Sequence, residues 1–283
     1  MNATSTSEIV AAADGFRELR RRWRCRDPWA AALLIHGAAE HSGLWELVGA
    51  RLSSAGIDTH GFDLRGCGAS GGRRADIEDW SDFLHQVRDS LVPLLSTDLP
   101  VVLLGHSLGG LIAVEYTLSD HPQPDLVVLH APAVGDLAPA WQRRVAPLLA
   151  RIAPRMTFAN WIDLNRVFTD PATVALHRAD PMRTTRTTAR LGALILEHME
   201  RAGRSVDQYN ARTLVLHGAA DHLVPLSATE SMGDLPSVDR KVYPGIRHGS
   251  IIEPQGMGMV DDIVAWVQEQ TSRGGRRESL LET

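Results

Sequence analysis

Val101-Val102-Leu103-Leu104-Gly105-His106-Ser107-Leu108-Gly109-Gly110-Leu111-Ile112-Ala113 decides how the rest of the chain is read. Four apolar residues bounded by glycine predict a strand buried on both faces, as in the middle of a parallel sheet. A helix is predicted over 107–119. Between the two lies Gly-x-Ser-x-Gly. The pentapeptide alone is a weak signal, but a strand before it and a helix after it make it specific. The turn is so sharp that Ser107 is expected in a strained conformation, its hydroxyl raised above the sheet. Gly105 and Gly109 have no side chains, so strand and helix can approach closely. The helix start offers free N–H groups and the positive end of a dipole. The N–H of Leu108 can therefore stabilise a developing oxyanion.

A serine hydroxyl is a poor nucleophile until a base takes its proton. In a strand–elbow–helix setting the order along the chain is serine, acid, histidine. His248, in Tyr243-Pro244-Gly245-Ile246-Arg247-His248-Gly249, lies just past the last predicted strand, 240–243. Loops beyond strand C-termini are where such sheets place their sites. The acid should follow the preceding strand, Thr213-Leu214-Val215-Leu216, and Asp221 ends the loop after it. His222 adjoins that acid on the wrong side for a base. Asp234 and Asp239 sit in a later, surface-like turn, and Glu253 follows the histidine. Ser107, Asp221 and His248 are thus the expected catalytic set, with no metal or organic cofactor required.

A second oxyanion donor is expected from the first crossover loop. Strand 31–35 runs into His36-Gly37-Ala38-Ala39-Glu40-His41-Ser42-Gly43, and the backbone N–H of Ala38 is assigned. His36, Glu40 and His41 could be catalytic or metal-binding. A loop beneath a site also needs polar groups to satisfy its own backbone, and that structural role is favoured, as it is for His106.

Around these motifs, short apolar runs alternate with helical patterns, as in a mostly parallel sheet wrapped by helices. An opening hairpin is predicted across Asp14-Gly15. Strands follow at 30–36, 59–63, 101–104 and 126–129, with helices at 44–54 and 77–95. The pattern breaks after Pro132. From there to about Ser205 no good strand is evident, and two amphipathic helices are predicted. One, over 139–151, carries Trp141, Val145 and Leu148, with Ile152 continuing the same side. The other, over 187–202, carries Leu191, Leu194, Ile195 and Met199, which become candidate substrate-binding residues. The expected organisation is a core over 1–131, a helical cap over 132–205, a second core part over 206–271 with a final helix at 259–270, and a disordered polar tail over 272–283.

The chain has 283 residues, 44% hydrophobic, with a net charge of −5. This profile fits a globular protein with a sizeable core and gives no reason to expect a nucleic-acid partner. The run Arg20-Arg21-Arg22-Trp23-Arg24 reads as a strand with a solvated arginine face. Two cysteines, Cys25 and Cys67, make no disulfide framework and suggest a reducing compartment. No signal peptide is evident and no apolar run reaches 18 residues, so neither export nor stable membrane insertion is expected. A cytoplasmic location follows as an expectation.

Taken together, the motifs resemble the monoacylglycerol lipase and lysophospholipase-like branch of the α/β hydrolases, a group that includes some serine aminopeptidases. The resemblance spans Asp14-Gly15 to about Gln270. It rests on the His36–Gly43 loop, on Asp63-Leu64-Arg65-Gly66-Cys67-Gly68-Ala69-Ser70, on Gly105-His106-Ser107-Leu108-Gly109-Gly110, and on Ala179-Asp180-Pro181 at the cap's end. Such chains usually carry Gly where Ala39 stands, and often Arg-Tyr where Leu44-Trp45 stand. The resemblance implies an α/β-hydrolase fold and hydrolysis of small-molecule esters with a lipid-like acyl chain bound beneath the cap. A peptidase, thioesterase or acyltransferase on the same machinery is the nearest rival. A dehalogenase would need Asp at the nucleophile position. A non-catalytic binding module would have no use for an intact serine, acid and histidine.

Overall fold

Strand β1 (Thr6–Ala11) pairs antiparallel with β2 (Arg17–Trp23), and the chain turns at Asp14-Gly15 with Gly15 at φ 78°. This computed structural model describes residues 4–281 apart from 13, 136 and 161, with side chains as far as Ser272. Arg21 and Arg22 of β2 are hydrogen-bonded in place. Arg22 pairs with Asp58 at 2.6 Å, and Arg21 reaches the Ser5 hydroxyl at 2.7 Å. They hold the hairpin to its neighbours instead of offering a free basic patch.

Strands β3 (Ala30–Ile35), β4 (Ile57–Phe62), β5 (Val101–His106), β6 (Leu126–His130), β9 (Thr213–Gly218) and β10 (Val238–Tyr243) run parallel. With the hairpin they form one eight-stranded sheet in the order β1-β2-β4-β3-β5-β6-β9-β10. Every residue of β3, β5, β6 and β9 is buried, which explains their continuous apolar sequences. Helices α2 (Ser81–Leu95) and α3 (Leu108–Thr117) cover one face through Phe83, Val87, Leu91, Leu111 and Ile112. Helices α1 (Glu46–Ser54) and α9 (Met257–Leu281) cover the other through Val48, Leu52, Val260, Ile263 and Val267. The short α8 (Glu230–Gly233) precedes β10.

Two helix boundaries differ from expectation for local reasons. Helix α2 starts at Ser81, because Asp79 accepts the Ser81 N–H (2.8 Å) in a turn ahead of it. The backbone of α9 continues helically to Leu281, into the segment read as a polar tail. Side chains beyond Ser272, and residues 282 and 283 entirely, lie outside the described residues.

Between β6 and β9 the chain leaves the sheet to build the cap. It contains α4 (Ala140–Ile152), β7 (Thr157–Ala159), α5 (Leu164–Val167), α6 (Pro171–Ala179), β8 (Arg186–Thr188) and α7 (Ala189–Arg204). The ladder β7–β8 went unseen in the sequence because three residues are too few to show a two-residue period. Helix α7 begins at Ala189, since the Thr188 hydroxyl caps it by accepting the Leu191 N–H. Asp170 caps α6 in the same way, with Pro171 at its first position.

The two main cap helices are held differently. Helix α7 is bolted to the core. Arg190 and the Thr188 hydroxyl bind Asp76 (2.7 and 2.8 Å), Arg201 and His198 bind Glu115, and His198 stacks on Trp80 with centroids 4.1 Å apart. Helix α4 buries no side chain fully, and Trp141, Leu148 and Ile152 are mostly exposed. Among the described residues, no helix is long and apolar enough to cross a membrane.

Candidate active site

Ser107 sits between β5 and α3 at φ 53°, ψ −114°, a conformation a non-glycine residue rarely adopts. Such a conformation stores about 1–3 kcal/mol of strain. The surroundings enforce it: the Ser107 N–H donates to His130 O (3.0 Å), and its carbonyl accepts from Leu111 N and Ala133 N (both 3.0 Å). A Cβ on Gly105 would lie 2.3 Å from Gly109 O, and a Cβ on Gly109 would lie 2.2 Å from Ile35 O. Both neighbours are backbone and cannot step aside, so glycine is required at each position.

His248 follows β10 and is almost fully buried. Its Nδ1 lies 2.7 Å from Asp221 Oδ2. The other carboxylate oxygen accepts the N–H groups of Leu223 (2.8 Å) and Val224 (2.9 Å). Burial alone would raise the Asp221 pKa. Hydrogen bonds from His217 and His248, with the His248 charge and the Val224 N–H, hold it well below the usual carboxylate range. An ionised Asp221 fixes the proton of His248 on Nδ1 and leaves Nε2 as the basic nitrogen. His217, at the end of β9, was not singled out from sequence. Its Nε2 lies 3.0 Å from Val224 O and 3.4 Å from Asp221 Oδ2, so it braces the acid loop. The rival acids are engaged elsewhere: Glu253 accepts from Thr169 N and Asp170 N, and Asp239 from the Trp266 indole.

Ala38 lies in a turn that Glu40 closes by accepting Gly37 N (2.9 Å) and the Trp45 indole N–H (3.2 Å). Trp45 is thus part of the brace. His36 is neutral and structural: burial lowers its pKa, Nδ1 meets Gly37 O at 2.8 Å, and Nε2 accepts Leu64 N at 2.9 Å. Asp63 ties the loop to the glycine-rich segment by accepting from Ser42 N, Ser42 Oγ and Ala69 N. Burial pushes His106 down to about 4, and its Nδ1 faces His130. His41 reaches across to the cap, with Nε2 2.7 Å from Asp180 Oδ2. Ala39 takes φ 65°, in the left-handed region that favours glycine.

Ser107, His248 and Ala38 line one cavity, together with Glu40, His106, Ile162, Leu164, Val167, Phe168, His177, Arg183 and Leu223. Leu108 opens α3, so its N–H has no partner within the helix. The cavity holds about 30 Å³, room for a water molecule or two. Its cap-side wall comes from α5, α6 and adjoining loops, none of which sequence reasoning singled out. The four residues read from α7 lie elsewhere. Leu191 and Met199 are buried in the apolar cluster that includes Leu108 and Ala133, and Leu194 and Ile195 pack against that cluster. None of the four lines the cavity beside Ser107.

A parallel sheet with a strained serine at a strand–helix elbow, and a buried His–Asp pair at the same end, defines a hydrolase of the α/β class. The family described as serine aminopeptidase, S33, matches residues 26–255. The chain is 33% identical to a monoacylglycerol lipase of Mycolicibacterium smegmatis over 94% of this chain and 98% of that one. It is 29% identical to human monoglyceride lipase over 93% and 90%. The structure of a monoacylglycerol lipase from Paleococcus ferrophilus superposes with a TM-score of 0.77 at 26% identity, covering 89% of this chain and 97% of that chain. The chain belongs to the serine aminopeptidase S33 family of α/β hydrolases, and it is a carboxylic ester hydrolase.

Proposed function

We propose that the chain hydrolyses monoacylglycerol-like esters through an acyl-enzyme on Ser107. The observation that carries this reading is the 2.7 Å His248–Asp221 contact in a buried pocket that also holds the strained Ser107. His248 takes the serine proton as Ser107 Oγ attacks the ester carbonyl, then passes it to the leaving alcohol. Asp221 holds the imidazole tautomer and balances the imidazolium. The N–H groups of Ala38 and Leu108 receive the oxyanion. Water then attacks the acyl-enzyme by the same route.

The substrate class draws support from the relatives named monoacylglycerol or monoglyceride lipase. An acyl chain does not fit in about 30 Å³, so binding requires the cap wall to part from the core. A cytoplasmic setting belongs to the same reading, with the free thiols of Cys25 and Cys67 in its favour.

The test is a rate series on monoacylglycerols of increasing chain length, on p-nitrophenyl esters and on an aminoacyl anilide. The reading expects the glyceryl esters to have the highest kcat/KM. Rates near zero on both ester series, with turnover of the anilide, would replace it with a peptidase.

A further inference from the structure

The loop that carries the base also grips part of the cap. A row of hydrogen bonds joins residues 247–253 to residues 165–170. Arg247 Nη1 donates to the carbonyls of Asn165 and Phe168 (both 2.7 Å). Gly249 N donates to Val167 O (3.0 Å). Glu253 is wholly buried; its Oε1 accepts from Thr169 N (2.8 Å) and Asp170 N (2.6 Å), and its Oε2 from the Gln255 amide (2.8 Å). The segments also pack on each other. A Cβ on Gly249 would lie 2.2 Å from the Phe168 ring and 2.8 Å from Val167 Cγ1. Leu164, Val167 and Phe168 line the Ser107 cavity together with His248. Helix α5, which carries the first two, is a single turn and too short to keep its shape alone. Its place is therefore set by what grips it, and that grip comes from the base loop.

We propose that Arg247 and Glu253 are positioning residues: they make the 164–170 segment a rigid extension of the base loop, so that the apolar part of the ester is held in register with His248. The cavity of about 30 Å³ must grow to admit an acyl chain. Growth by displacing 164–170 would break this row of hydrogen bonds and disturb the base. Growth elsewhere in the wall leaves the base where Asp221 holds it. An ester resting on Leu164, Val167 and Phe168 is thus placed against His248 by the loop that carries His248. A misplacement of about 1 Å can cost about 10²-fold in rate, so a small loosening of this grip is felt in turnover. Arg247 and Glu253 act through the wall and take no part in proton transfer. The inference rests on the reading of Ser107 and His248 as nucleophile and base of an ester hydrolase.

The test compares kcat/KM for monodecanoylglycerol with that for vinyl acetate, in wild type and in Arg247→Met. Vinyl acetate is too short at both ends to depend on the wall. Methionine keeps the arginine stem and removes the donors; Arg247 is only half-buried, so water can reach the carbonyls it leaves. The ratio of decanoyl ester to vinyl acetate is expected to fall about tenfold. A purely structural role would lower both rates alike, so a ratio that stays at the wild-type value would overturn the proposal. If Arg247→Met fails to fold, as judged by its melting transition, Gly249→Ala carries the test with the same expected fall. Its methyl would push the Phe168 ring off the base loop, and φ −92° suits alanine. Hydrogen exchange read by mass spectrometry is a second readout. In Arg247→Met, 164–170 and 247–253 should exchange faster together; a rise in only one, or in neither, would contradict the coupling. A wild type that turns over neither ester would overturn the reading of the active site, and the exchange measurement would then decide the coupling by itself.

Discussion

The core side and the cap side of the cavity are built on opposite terms. On the core side the backbone around the serine is tightly held. The serine's backbone is held by three hydrogen bonds, its flanking glycines touch carbonyl oxygens, and each polar side chain of the oxyanion loop has a named partner. On the cap side the wall is made of the short helices α5 and α6 and loops, His177 Nε2 and Arg183 Nε are unpaired, and α4 shows Trp141, Leu148 and Ile152 to solvent. In the proposed function the core half carries the reaction and the cap half sets the alcohol and acyl preferences. The two halves meet through polar contacts that include His41–Asp180, Asp76–Arg190 and Glu115–Arg201, and through the apolar packing of α7 on the core.

The sharpest way to break this comparison is Gly109→Ala. Its new methyl would fall 2.2 Å from Ile35 O, and only a shift of strand or helix could relieve it. A loss of about 3 kcal/mol or more is expected, read as a collapsed denaturation midpoint. Wild-type stability would mean that the elbow is not the constrained element described here.

The next effect is with pH. Burial lowers the pKa of His36, His106, His130 and His177 in the folded chain. Between the unfolded value near 6.5 and the lowered folded values, the unfolded chain binds more protons. Stability should therefore be full above about pH 6.5 and fall as pH drops toward 4. His106 alone, lowered to about 4, contributes roughly 3 kcal/mol to that loss. Three of the four histidines belong to the core side, so the core should fail cooperatively on acidification. A denaturation midpoint flat from pH 7 to pH 4.5 would refute the neutral buried histidines.

The smallest effect has the opposite sign. Ala39 occupies the left-handed region without the freedom of glycine. Ala39→Gly should raise stability, by about 0.5–1 kcal/mol, with the oxyanion loop geometry retained. A lower melting temperature would show that the alanine methyl contributes packing that outweighs the strain.

The same contrast sets what could be read from sequence. The elbow, and the Asp221 and His248 that the structure pairs, were legible because rigid backbone demands leave residue signatures: glycines at close contacts, apolar runs at buried strands, Asp and His just past strand ends. The structure brings Ser107, His248 and Ala38 to one cavity, and Asp221 to His248. The cap residues facing that cavity were not legible. Leu164, Val167, Phe168, His177 and Arg183 come from elements of four to nine residues and intervening loops, which are too short to carry a period. The amphipathic stripes that do carry one point elsewhere. In α7 the stripe packs on the core, and in α4 it faces solvent. Periodicity locates a helix and its apolar face but does not say what covers that face. His217 could have been noticed as a third polar residue in the acid loop, though nothing in its spacing gives it the bracing role.

The central claim is that Ser107 carries the acyl group. A fluorophosphonate that forms a stable adduct with activated serines tests it directly by mass spectrometry of the digested protein. The account predicts one adduct, on the peptide containing Ser107, formed in step with loss of ester hydrolysis. Ser107→Ala should take no label and lose about 10³-fold or more in kcat. Labelling at another serine, or wild-type turnover by Ser107→Ala, would contradict it.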